Sequence, residues 1–152
     1  MLQKNNKLMG KYKFKNRKFP KEFQSVCDYI KAKKGVVVKL GHITSFMGHF
    51  NRTIYIHHNY DLTNNGLYAL LHEVGHSLQP PTSVGSNSYK NIDDDINKRE
   101  FEMGRFVNEL DAWEIGLSIA NKLKISLDKD DWISQKNEAL LTYWPSNIKN
   151  QK

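Results

Sequence analysis

Leu67-Tyr68-Ala69-Leu70-Leu71-His72-Glu73-Val74-Gly75-His76-Ser77-Leu78 carries two superimposed patterns. Leu67, Leu70, Leu71, Val74 and Leu78 recur at the spacing of one helical stripe, which predicts a helix over 64–79 that buries this face. Thr63 or Asn64 is placed to cap it, and Pro80-Pro81 stops it. Within it stands His72-Glu73-Val74-Gly75-His76. Residues four apart lie one above the other on a helix, so the two imidazoles can share one metal ion, with Glu73 beside them in reach of a metal-bound water. With six His and seven Glu in 152 residues, the pattern arises by accident roughly once in a hundred such sequences. Gly75, lacking a side chain, leaves room for a second helix to come close.

A catalytic zinc needs a third protein ligand and keeps one position for water. No histidine follows His76, so the third ligand is expected to be a carboxylate on a second long helix, read over 97–123 with Asn97 and Glu100 as a capping box. Glu109 is the first choice because Ala112 and Gly116 make its face small enough for close packing. Asp111, about 200° around the helix from Glu109, and Glu102 and Glu114 are the alternatives. Met103, Phe106, Val107, Leu110, Trp113, Leu117 and Ala120 are expected to point inward.

Upstream, Phe23, Val26, Cys27 and Ile30 predict a short amphipathic helix ended by Gly35. Val36 to Ile43 and Arg52 to His57 read as strands, with a turn near Gly48 and Asn51 between them. A last helix is expected over 130–143. The resulting fold is α+β: a small sheet with an edge strand at 52–58, packed on helices 64–79 and 97–123. Residues 79–96 form a long loop of the kind that borders sites. The run Asp93-Asp94-Asp95 lacks the glycine and closing glutamate of a calcium loop and reads as charge at a helix start. The expected organisation is a basic arm over 1–18, one domain over 19–146 and a tail over 147–152.

Charge is unevenly distributed. Residues 1–34 hold eleven Lys or Arg against Glu22 and Asp28, a balance of +9, whereas the whole chain carries +7. The basic segment is a candidate contact for nucleic-acid phosphates, although it matches no defined module and also reads as a solvated tail. No apolar run is long enough to cross a membrane, and the N-terminal lysines are not followed by the apolar segment of a secretory leader. Cys27 alone cannot form an internal disulfide, and its ordinary role is that of a buried apolar residue. A cytoplasmic protein is expected.

His72-Glu73-Val74-Gly75-His76 followed by Glu109-Leu110-Asp111-Ala112 resembles the HExxH and ExxA pair of gluzincin metallopeptidases, in particular the small ImmA/IrrE-type peptidases and related phage proteins. The resemblance spans roughly 52–119. It implies a minimal zincin-like domain holding one zinc through His72, His76 and Glu109, with Glu73 as general base and proteins or peptides as substrates. SprT-like proteins, which use a third histidine, fit less well. Trp113 stands where several gluzincin families place an aspartate or asparagine that steadies the site, which leaves that partner unassigned. His57 and His58 at the strand end, Tyr89 in the loop and Tyr143 near the C-terminus are the further candidates for contacting substrate or a developing oxyanion. The competing reading is a non-catalytic metal-containing protein that binds nucleic acid through its basic arm.

Overall fold

Helix α1 (Lys21–Lys34) begins after Pro20, whose carbonyl accepts the Gln24 N–H at 2.8 Å. It ends where Gly35 turns left-handed at φ 67°, with its N–H on the Lys31 carbonyl. Phe23, Val26, Cys27 and Ile30 are its buried face, as their spacing predicts, and Lys31, Lys33 and Lys34 occupy its last turn, where positive charge favours the helix dipole. These lysines of the basic N-terminal segment thus belong to a packed helix. The computed structural model describes residues 18–41, 46–48, 52–80 and 95–144. Ile43, Tyr89, the Asp93-Asp94 pair and most of both termini lie outside them.

Three strands follow: β1 (Val37–Gly41), β2 (Phe46–Gly48) and β3 (Thr53–His57). The sheet order is β1-β3-β2. Val37 to Gly41 pair in parallel with Thr53 to His57, and Phe46 to Gly48 pair antiparallel with Tyr55 to Thr53. This corrects two expectations. The strand at 52–58 is central, not an edge, and Gly48 belongs to a strand, not to a turn. A three-residue strand is too short to show alternation, and glycine reads as a breaker. Being covered on both edges fits the near-complete burial of Thr53, Ile54 and Ile56.

Helix α2 (Asn65–Leu78) packs on the sheet and α1, burying Leu67, Leu70, Leu71 and Val74. Its start is built differently from expectation. Neither Thr63 nor Asn64 caps it by side chain; Asp61 organises the turn, its carboxylate accepting from the Thr63 N–H and hydroxyl and from Asn64 Nδ2, its carbonyl from the Gly66 N–H.

Helix α3 (Asp95–Lys122) starts two residues before the expected cap, so Asn97 lies inside it. Helix α4 (Lys129–Thr142) is capped by Asp128, which accepts the Asp130 and Asp131 N–H groups at 3.0 Å. It runs antiparallel to α3: Trp132 meets Trp113, Lys136 pairs with Glu114, and Trp144 packs edge-on to Phe106. The protein is therefore α+β, with four helices and a small mixed sheet among the described residues. No helix among them is long and apolar enough to cross a membrane.

Candidate metal centre

Helices α2 and α3 cross antiparallel with almost nothing between their backbones. A Cβ on Gly75 would lie 2.0 Å from the Ala112 carbonyl oxygen, and one on Gly116 2.7 Å from that of Leu71. One turn further along, Gln79 Nε2 donates to the Asn108 carbonyl at 2.6 Å. The three meetings advance four residues on each helix, so the small residues form a continuous seam. That seam carries Glu109 to the histidines. The inward face of α3 is centred on it, which is why Met103 and Val107, expected inside, stand 40% and 48% exposed on the opposite side.

His72 Nε2 and His76 Nε2 are 3.1 Å apart, and Glu109 Oε2 lies 3.2 Å from the first and 3.1 Å from the second. Among the described residues this is the one group of three or more His, Cys, Asp or Glu side chains whose donor atoms converge closely enough for a metal ion. The other carboxylates considered fall elsewhere. Asp111 is exposed, Glu114 pairs with Lys136 at 2.9 Å, and Glu102 is not in the group.

The donor set fits a zinc ion on two grounds. Ligand atoms about 2.0–2.1 Å from a tetrahedral centre are separated by roughly 3.3–3.4 Å, close to the spacings found here. The hydrogen-bond chemistry agrees. Gln79 is oriented by its donation to Asn108, so its Oε1 faces His76 Nδ1 at 2.9 Å and accepts that N–H. With that N–H on Gln79, His76 Nε2 faces the Glu109 carboxylate and the second imidazole, where either a proton or a metal ion can sit between the three groups.

Gln79 was not legible as a partner in the sequence, yet it supplies the outer hydrogen bond that metal-binding histidines ordinarily have. Its signal was its position, three residues after His76 on the same face. His72 is held differently. Trp113 stacks on its ring with centroids 4.6 Å apart and planes 30° from parallel, and His72 Nδ1 is buried with no hydrogen-bond partner among the described residues. Trp113 thus sets the ring plane of His72 by stacking where no hydrogen bond does so. Trp132 braces Trp113 from behind, and Tyr68 braces Trp132.

The electrostatics follow from the crowding. Burial pushes the Glu109 carboxyl up, but hydrogen bonds from His72 and His76 outweigh it and hold it at about 2. Burial depresses His76, yet the bond and charge of Glu109, the Gln79 acceptor and the charge of Glu73 leave it raised. Glu73 is itself only 9% exposed. Tyr143 is raised by burial first and then by the Glu109 charge, opposed by Arg105, with Glu73 adding to the rise. It therefore stands within electrostatic reach of both carboxylates.

His57 and His58 do not join the group. Their rings stack on each other at 4.8 Å at the end of β3, whose last residue is His57. His57 Nδ1 accepts the Asn59 N–H, and His58 Nδ1 donates to the Gly41 carbonyl. Tyr89 lies outside the described residues. Cys27 is buried in the core, where desolvation pushes its thiol up to about 12. Comparison with known proteins finds no family model that matches the chain, and no curated protein or solved structure with significant similarity to it.

Proposed function

We propose that this chain is a zinc-dependent metallopeptidase with a minimal zincin-like fold, in which His72, His76 and Glu109 hold the ion and Glu73 is the general base. The observation that carries the reading is the convergence of His72 Nε2, His76 Nε2 and Glu109 Oε2 within 3.2 Å of one another, beside a buried Glu73 on the same helix. The arrangement supports the likeness to the gluzincins and ImmA/IrrE-type peptidases, and in this reading the protein works in the cytoplasm.

A zinc bound there would polarise the scissile carbonyl and lower the pKa of its water. Glu73 would accept a proton from that water and pass it to the leaving amine, a role suited to a carboxylate kept from bulk solvent. Gln79 fixes the His76 tautomer and Trp113 fixes the ring plane of His72, so both nitrogens are aimed before metal arrives. Tyr143, raised and so protonated at neutral pH, would serve as the hydroxyl donor to a developing oxyanion. Because β3 is central, an extended substrate would add to β2 or β1, the strands at the sheet edges.

Glu73→Gln preserves side-chain shape and removes the proton acceptor. The variant is expected to keep zinc and fold while losing hydrolysis of a fluorogenic peptide library. Wild-type turnover by this variant would exclude Glu73 as the base.

A further inference from the structure

The turn of α3 just before Glu109 carries a cation that the metal site does not use. Arg105 precedes Glu109 by four residues, so it occupies the same helical face about 6 Å along the axis. Its guanidinium carbon lies over the Tyr143 ring, 5.4 Å from the centroid. The end of α4 is folded against this turn by a second contact, Trp144 edge-on to Phe106 at 5.1 Å. Ring and cation are thus both held beside the metal ligands.

A cation–ring contact uses none of the guanidinium N–H groups as hydrogen-bond donors, which leaves them available as the fork that matches a carboxylate in two parallel hydrogen bonds. Arg105 is exposed. The ion pairs formed among the described residues are His72–Glu109, His76–Glu109 and Lys136–Glu114, and Arg105 is in none of them. The other charges near Tyr143 are Glu109 and Glu73. Of the charged groups among the described residues that act on Tyr143, Arg105 is the one cation, and it stands beside these two carboxylates.

We propose that Arg105, seated on Tyr143, is a specificity element that selects substrates bearing a carboxylate within about two residues of the bond to be cut. An extended peptide advances about 3.3–3.6 Å per residue, so the roughly 6 Å between the two helical positions corresponds to one or two residues of substrate. The carboxylate is either an Asp or Glu side chain or a free chain terminus. The inference rests on the metallopeptidase reading and deepens it.

The test uses binding to the zinc-loaded full chain, independent of turnover. Three succinyl hydroxamates share one zinc-chelating head: coupled to glycine amide, to glycine with a free terminus, and to glutamate with an amidated terminus. Calorimetry on the wild type should show at least one acidic probe binding about tenfold tighter than the glycine amide, and which one gains identifies the source of the carboxylate. The gain should shrink as salt rises. Referred to the neutral probe in each variant, Arg105→Ala should abolish the preference and Arg105→Glu should reverse it. Equal affinity for all three probes in the wild type, or a preference that survives Arg105→Ala, overturns the assignment of Arg105 and leaves the metallopeptidase reading standing. Failure of all three to bind the zinc-loaded protein removes that reading and this inference with it.

Discussion

Replacing Gly75 by alanine adds one methyl group at the tightest point of the molecule. Its Cβ would lie 2.0 Å from the Ala112 carbonyl oxygen, 2.8 Å from the carbonyl carbon and 3.0 Å from the Cα. All three are backbone atoms, so no rotamer change relieves the clash. Restoring even a tight 3.4 Å separation requires α2 and α3 to part by roughly 1.4 Å. Overpacking of this kind costs about 1–3 kcal/mol, and the better helix propensity of alanine returns up to about 1 kcal/mol. A mid-range net loss of about 1–2 kcal/mol should lower the melting temperature by about 2–8 °C. The metal site should suffer more than the fold. Glu109 is on α3 and both histidines are on α2, while zinc tolerates bond lengths only within about 0.2 Å. We expect zinc affinity to fall by about 10–100-fold or more, read by competition with a chromophoric chelator. Gly116→Ala, whose Cβ would meet the Leu71 carbonyl oxygen at 2.7 Å, should show a smaller loss. Gly41→Ala serves as the control, because among the described residues its Cβ meets only the Tyr55 side chain, at 3.5 Å or more. Gly75→Ala matching the control in both melting and zinc affinity would refute the close-packed seam.

Gln79→Ala removes the acceptor for His76 Nδ1 and should weaken zinc binding by about tenfold while changing stability little, as measured by the same chelator competition. The metal-free protein should have a stability optimum in pH. Glu109, held at about 2 against 4.5, contributes stability that is present above about pH 4.5 and lost as pH falls toward 2, whereas His76, raised above 6.5, contributes stability that is present below 6.5 and lost as pH rises through its folded value. Urea melts of the metal-free chain should therefore peak between about pH 4.5 and 6.5, and Glu109→Gln should flatten the profile. Deleting residues 1–18 removes seven positive charges and no negative ones. The truncated chain should fold and keep its zinc, and a steeply salt-dependent DNA or RNA affinity lost with the arm would favour the nucleic-acid reading instead.

What the sequence could convey follows from the range of each signal. The α2 stripe, the α1 face and the His72–His76 spacing are local periodicities, and they appear in the structure as read. Glu109 was legible only because Gly75, Ala112 and Gly116 are small, a statement about two helices at once. The same smallness hides part of the inward face of α3: Ala112 and Gly116, which meet α2, carry little or no apolar signal, so the apolar spacing points to Met103 and Val107 as inward although they stand outward. β2 escaped notice because three residues carry no alternation, and with it went the central position of β3. Gln79 and Arg105 are polar residues at helical offsets from the ligands, and such offsets acquire meaning only once the ligands are known to converge.

The central claim is that His72, His76 and Glu109 together hold one zinc that Glu73 serves without binding. Metal content after zinc loading and exhaustive dialysis, measured by plasma mass spectrometry on the wild type and four variants, tests it most directly. One zinc per chain is expected in the wild type and in Glu73→Gln, and close to none in His72→Ala, His76→Ala and Glu109→Ala. A full equivalent retained by any of those three, or none held by the wild type, contradicts the account.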